Sequence, residues 1–206
     1  ENGTAMRAIV GIVDDPANSC QLPLTIDFTK GNAVIFGDAS SGKTTLLRTL
    51  IASLATTHSP AEFHVHIIDM GGQTLKLMRD LPHFGTIIMP DEQGFEEQVQ
   101  QLWRQMNEEI DRRKRKFADA GISSLYDYNA QHPNDITPAI LVMIDNFGEF
   151  IEAFGKDANP DDETNMLYQF IVLARQARSY GIHILITVPR HNTLNNNLHS
   201  LFTERL

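Results

Sequence analysis

The sequence predicts an α/β fold: a mostly parallel sheet with helices on both faces. Three observations carry this. Short apolar runs alternate with segments of helical periodicity along the chain. The stretch Gly37-Asp38-Ala39-Ser40-Ser41-Gly42-Lys43-Thr44 fits G-x-x-x-x-G-K-[ST] at every fixed position, between an apolar strand and a helix. Farther on, Ala139-Ile140-Leu141-Val142-Met143-Ile144 is apolar throughout, as a strand covered on both faces must be, and ends in Asp145.

Residues 6–13 read as a strand and residues 14–19 as a turn cluster. Residues 22–28 alternate apolar and polar, a second strand that Pro23 confines to an edge. Together they predict a small β flap within residues 1–30, ahead of a core over 31–206, all in one domain. Residues 33–36 read as a buried strand and residues 45–54 as a helix. Ser59-Pro60 breaks the chain, and residues 63–69 form the next strand. His64 and His66 lie two apart on it and so share one face. That spacing suits a metal, but no third ligand sits nearby in the sequence, and half-buried side chains are the simpler reading.

After the Gly71-Gly72 turn comes a short helix through Leu75, Leu77 and Met78, then a strand over residues 85–89. The longest helix is expected over residues 93–120, with Phe95, Val99, Leu102, Trp103, Met106, Ile110 and Phe117 on one face and Gly121 ending it. It carries Arg112-Arg113-Lys114-Arg115-Lys116. That run could be a nucleic-acid patch, or could send an arginine to a neighbouring subunit's nucleotide. The favoured reading is a solvated face balanced by Glu96, Glu97, Glu108, Glu109 and Asp111, because consecutive residues fan around a helix. Residues 155–162 read as a loop, 163–180 as a helix, 182–188 as a last core strand stopped by Pro189, and 192–197 as a polar loop before a final short helix that is cut off.

The chain has 206 residues, 42% hydrophobic and 21% charged, enough for one large domain with a buried core. No apolar run approaches the length of a membrane span, and no signal peptide opens the chain. Cys20 is the one cysteine, so no internal disulfide can form, and a cytosolic compartment is the simple expectation. The net charge of −9 speaks against a sequence-independent DNA binder. From its two ends the chain is expected to be a piece of a longer protein.

The glycine-lysine motif carries the chemistry. Glycines let the backbone wrap an anion without a Cβ in the way. The loop amides and the helix N-terminus face the phosphates. Gly37, Asp38, Ala39, Ser40, Ser41, Gly42, Lys43, Thr44 and Thr45 are the candidate nucleotide-binding residues. Lys43 would reach the β- and γ-phosphates, while Thr44 and Asp145 would hold Mg²⁺. A chance match on a Gly/Ser-rich turn is the bland alternative, and the flanking strand and helix argue against it.

Several further segments resemble the FtsK/SpoIIIE family of motor ATPases. They are Ile68-Asp69 before a glycine turn, Leu81-Pro82-His83, Glu109-Ile110-Asp111-Arg112-Arg113, Gly121-Ile122, Tyr128-Asn129 and Ala177-Arg178-Ser179-Tyr180-Gly181-Ile182-His183. Val10-Gly11-Ile12-Val13-Asp14-Asp15-Pro16-Ala17 and Thr44-Thr45-Leu46-Leu47-Arg48-Thr49-Leu50 look closer still to the EccC/EssC branch of type VII secretion, membrane-anchored proteins with such modules in tandem. The resemblance implies a RecA-like, FtsK-like P-loop NTPase fold with ATP and Mg²⁺ as ligands. It also implies a cytoplasmic domain of a cell-membrane protein, reaching the membrane only through its parent chain. The implied partners are adjacent ATPase modules, secreted proteins docking through signal segments, and other copies in a hexamer or smaller oligomer.

Two positions depart from the family's pattern. Active members follow the Mg²⁺ aspartate with a glutamate that polarises water, whereas Asn146 stands here, and an amide is not a base. Glu149, one turn on, is the candidate substitute and the one catalytic candidate. The family's last core strand ends in A-T-Q-R-P, whose glutamine resembles a γ-phosphate sensor; Thr187-Val188-Pro189-Arg190 replaces it. The second and third modules of the secretion branch are similarly degenerate and resemble regulatory or docking modules. The expectation is therefore an ATP-binding module with weak or absent hydrolysis. The alternatives are an active DNA-translocating ATPase and a protein scaffold with a vestigial site.

Overall fold

The computed structural model describes residues 5–72, 74–155 and 164–206. It has two sheets. Strands β1 (Arg7–Asp15) and β2 (Cys20–Asp27) pair antiparallel as a hairpin with a bulge between Ile9 and Gly11. The main sheet holds β3 (Asn32–Phe36), β4 (Phe63–Asp69), β5 (Phe84–Ile88), β6 (Ala139–Asp145), β7 (Ile182–Val188) and β8 (Phe202–Arg205). Their order is β5-β4-β6-β7-β3-β8, and every pairing is parallel.

The helices are α1 (Lys43–Thr57), α2 (Phe95–Asp119), α3 (Leu125–Gln131), α4 (Phe147–Phe154), α5 (Met166–Gln176) and α6 (Asn196–His199). Two apolar clusters fill the two faces of the sheet. Ile140, Val142 and Ile144 of β6 join Trp103, Phe147, Phe150 and Phe170 from α2, α4 and α5. Leu141 and Met143 of the same strand join Leu47, Leu50, Ile51 and Leu54 of α1, with Met6, Ala8 and Ile26 at the base of the hairpin. A strand buried on both faces can have no polar alternation, which is why β6 reads as an unbroken apolar run. Beyond Ala8 and Ile26 the hairpin carries exposed Ile9, Ile12, Val13, Leu22 and Leu24.

Several expectations need correcting. The short helix after Gly72 is a 3-10 turn over Thr74–Met78. α3 and α4, seven and eight residues long, had no counterpart in the sequence reading. Short helices show few turns of periodicity, and both are stabilised by what they bury: Leu125 and Tyr128, and Phe147 and Phe150. The helix expected over 163–180 is α5 followed by a 3-10 turn over Arg178–Tyr180. Residue 163 and most of the loop expected at 155–162 lie outside the described residues. The final short helix is not cut off: α6 closes, and β8 then adds a sixth strand beside β3.

Gly121, at φ 68°, ends α2 as expected, with the Ile122 amide donating to the Phe117 carbonyl at 2.9 Å. The basic run on α2 departs from a solvated face at one position. Arg113 is 0% exposed. Its guanidinium donates to Glu109 Oε1 at 2.6 Å and to the Tyr180 and Pro138 carbonyls at 2.5 and 2.8 Å, tying α2 to the segments that enter β7 and β6. Arg112 forms a two-pronged pair with Glu109, Lys114 pairs with Asp111, and Lys116 reaches Asp135 and Thr137. His64 and His66 are both half-buried, and the His66 ring lies where a Cβ on Gly85 would sit. Burial, with His64 close by, pushes His66 down to about 4.

Candidate functional site

The site lies at the carboxyl ends of β3, β6 and β7, which stand in the order β6-β7-β3. Parallel pairing brings all three ends to the same side of the sheet, where ligands of open α/β sheets bind. The loop after β3 arches over residues 37–42. Ser40 at φ 62° and Gly42 at φ 92° are left-handed, the backbone shape that lets successive amides converge on an anion. A Cβ on Gly37 would come within 2.4 Å of Ser41 Oγ, so a larger residue here would push the Ser41 hydroxyl out of its place in the loop. The Gly37 amide donates to the Val188 carbonyl at 3.1 Å, fastening the loop's base to β7.

α1 starts at Lys43, so the helix N-terminus opens into the loop. Lys43 Nζ donates to the Gly37 and Asp38 carbonyls at 2.6 and 2.8 Å, which lays the ammonium along the loop. Thr44 Oγ1 donates to Asp145 Oδ2 at 2.9 Å, and Thr187 Oγ1 donates to Asp145 Oδ1 at 2.5 Å. The Thr187 hydroxyl in turn accepts the Asn146 amide at 2.8 Å. The start of α1 and the ends of β6 and β7, far apart in sequence, are thus joined by one carboxylate.

Asp145 is 3% exposed, and both of its oxygens accept from neutral hydroxyls. No basic side chain pairs with it among the described residues. A buried carboxylate whose charge no protein cation offsets, beside a threonine hydroxyl, is a donor set suited to Mg²⁺, a hard cation that takes oxygen ligands. Thr44 and Asp145 therefore fit that ion.

A cleft of about 360 Å³ runs beside the loop between α1 and the turn after β4. Ser40, Gly42, Lys43, Thr44 and Thr45 line one wall, with Arg48, Gly72 and Thr74 opposite or below. The other candidates, Gly37, Asp38, Ala39 and Ser41, belong to the arch itself. Asp38, at its exposed crest, pairs with Arg190 at 3.2 Å.

Asn146 sits at φ 59°, ψ 56°, capping α4 by backbone position and without a side-chain cap. Asparagine is one of the few non-glycine residues that occupy this region at low cost. Val188 is buried and has no polar side-chain atom. Glu149 is exposed, in the first turn of α4, and no hydrogen bond ties it to the Thr44–Asp145–Thr187 group.

Sequence reading missed several members of this end of the molecule. Asp69, buried at the end of β4, stands beside Asp145 in the β4–β6 register and carries the same signal, an apolar strand ending in aspartate. Thr187 was noticed only as part of an altered motif, although a hydroxyl inside an apolar strand invites a partner. His191, stacked on Phe36 with ring centres 3.7 Å apart, left no sequence signal.

A parallel sheet of this order, with the phosphate loop after one strand and the aspartate two strands away, defines the P-loop ATPase fold. The chain belongs to the FtsK/SpoIIIE family, whose family model matches residues 9–206. It is 32% identical over 187 residues to the ESX secretion system protein YukB of Bacillus subtilis, covering 90% of this chain and 12% of YukB. Among solved structures, EssC (ATPases 2 and 3) from Geobacillus thermodenitrificans is similar with a TM-score of 0.82 at 28% identity, over 98% of this chain and 36% of that one. Thermomonospora curvata EccC (ATPases 2 and 3), in complex with a signal sequence peptide, is similar at 0.82 and 25% identity, over 99% and 36%. The chain thus spans a small part of these longer proteins.

Proposed function

We propose that this chain is a nucleotide-binding module of an ESX-type, type VII secretion ATPase, one that holds Mg-ATP and hydrolyses it weakly or not at all. The observation that carries the reading is the contrast around Asp145. The binding half is complete: the loop with its left-handed turns, Lys43, and the Thr44–Asp145–Thr187 relay. The hydrolytic half is altered at two positions: Asn146 presents an amide and Val188 a hydrocarbon.

In this reading the loop amides from Gly37 to Thr45 and the α1 N-terminus take the phosphates, and Lys43 offsets their charge. Thr44 and Asp145 hold Mg²⁺, which when bound would neutralise charge on the phosphate oxygens. Position 146 holds an amide where active members of the family hold the base that takes a proton from water, so binding outlasts hydrolysis.

A module that binds without turnover acts by what it touches. Of the apolar side chains exposed on the β1–β2 hairpin, Val13, Leu22 and Leu24 share one face, an apolar surface suited to an adjacent ATPase module of the same parent chain. Similarity to the EccC structure bound to a signal sequence peptide supports docking of secreted proteins through such segments. Assembly into a hexamer or smaller oligomer, and placement at the cytoplasmic side of a membrane through the parent protein, belong to the same proposal.

Turnover measured for the wild type and Asn146→Glu, each with Lys43→Ala as control, tests the reading. We expect Mg-ATP binding with negligible phosphate release in the wild type, and a measurable rise in Asn146→Glu. A wild type that already hydrolyses ATP at about 1 s⁻¹ or faster, in the range of ordinary enzymes, overturns it.

A further inference from the structure

A module that works by nucleotide occupancy must distinguish a nucleoside triphosphate from a diphosphate. In this site the usual means are missing. Val188 offers no polar atom, and the Thr187 hydroxyl donates to Asp145 and accepts from Asn146. The loop amides serve phosphates that both nucleotides share, and Lys43 would meet the β-phosphate of either.

Arg48 stands out in the same cleft. It lies four residues after Thr44 on α1, hence on the same face, and long helical side chains lean back toward the N-terminus. Its Nη2 donates to the Thr74 carbonyl at 2.7 Å, which fixes the guanidinium against the turn after β4. Its Nε is buried and has no hydrogen-bond partner. No carboxylate pairs with it among the described residues, and the side chains lining the cleft include no acid. In a chain of net charge −9, a half-buried arginine left without an acidic partner beside a phosphate-binding loop is an unusual expense of charge.

The other cations of this region are engaged differently. Lys43 lies along the loop carbonyls, and Arg190 is paired with Asp38 on the exposed crest. Arg48 is the arginine that lines the cleft with Lys43 and Thr44, near the Thr44–Asp145 pair that fits Mg²⁺. An arginine fork is the donor geometry that suits a phosphate's oxygens.

We propose that Arg48 contacts the terminal phosphate of a bound nucleoside triphosphate and so sets the preference for triphosphate over diphosphate. This rests on the nucleotide-binding reading above. Because the same guanidinium holds Thr74, the contact would also tie the turn after β4 to the nucleotide's state.

The test is calorimetric titration of the protein with Mg-ATP and, separately, Mg-ADP, for the wild type, Arg48→Gln and Arg48→Lys. The wild type should prefer Mg-ATP. Arg48→Gln should lower that preference about tenfold, the worth of one charge-assisted contact, by weakening ATP while leaving ADP affinity unchanged. Arg48→Lys, which keeps the charge but loses the fork, should fall between them, and it carries the test should the glutamine variant melt early. An unchanged ATP-to-ADP ratio in both variants, or equal losses for both nucleotides, overturns the Arg48 assignment alone. A wild type that binds neither nucleotide overturns the binding reading itself.

Discussion

Two basic regions of this acidic chain meet opposite fates. On α2, four of five consecutive cations have anionic partners: Arg112 and Arg113 share Glu109, Lys114 has Asp111, and Lys116 has Asp135. At the carboxyl ends of the strands, Lys43 and Arg48 touch backbone carbonyls only and line a cleft without acids. The dense run is largely architecture, and the sparse pair lines the candidate nucleotide site. Charge density along a sequence is thus a poor guide to anion binding; what matters is whether the fold supplies the counter-charge.

The strongest way to break this comparison is at Arg113. Removing a fully buried guanidinium leaves the Tyr180 and Pro138 carbonyls without their donor and opens a cavity, while Glu109 keeps Arg112, so Arg113→Ala should destabilise the fold by about 3–5 kcal/mol in denaturant titration. A loss of DNA binding with unchanged stability would instead make the run a nucleic-acid surface. Next is Lys43→Ala, which should weaken Mg-ATP binding about 100-fold, ~2.7 kcal/mol, with little change in melting. Equal affinity in mutant and wild type would remove the lysine from the site.

A third effect probes the core beneath α3, where Tyr126 bonds His183 at 2.7 Å. Burial first, then Arg113 and Arg178, push the β7 histidine His183 down to about 3. Its folded value is below the unfolded value near 6.5, so the unfolded chain binds more protons between those pH values. Stability is therefore full above pH 6.5 and falls on acidification, by ~2 kcal/mol at pH 5 from this residue. Replacing His183 with glutamine should flatten that slope; an unaltered slope would mean the ring is not the titrating group.

Smaller still is the cost of Asn146→Glu. The left-handed backbone at this position disfavours glutamate, so about 1 kcal/mol of stability should be lost even as turnover rises. Stability equal to wild type would mean the backbone relaxes there. Arg115→Ala, for which no salt bridge is found on the described residues, should shift stability by no more than about 0.5 kcal/mol.

The same comparison shows what was readable in advance. The phosphate loop was legible because its chemistry is local: eight consecutive residues between a strand and a helix. Asp145 was legible because a doubly covered strand has a distinctive apolar run. Arg113 was misread because its partners, Pro138 and Tyr180, lie 25 and 67 residues away, and a linear charge count sees only its neighbours. Thr187 bridges to Asp145 across 42 residues for the same reason. β8 escaped notice because Phe-Thr-Glu-Arg is four residues with a single buried apolar side chain, and its strand identity comes from pairing with β3.

The central claim is a site that binds Mg-ATP and turns it over weakly or not at all. The most direct test follows one sample twice: calorimetry for Mg-ATP affinity, then recovery of the bound nucleotide after prolonged incubation. Saturable binding that Lys43→Ala removes, with the nucleotide recovered as ATP, is the result expected. Recovery as ADP at about 1 s⁻¹ or faster, a rate abolished by Lys43→Ala, would show an active ATPase and contradict the account.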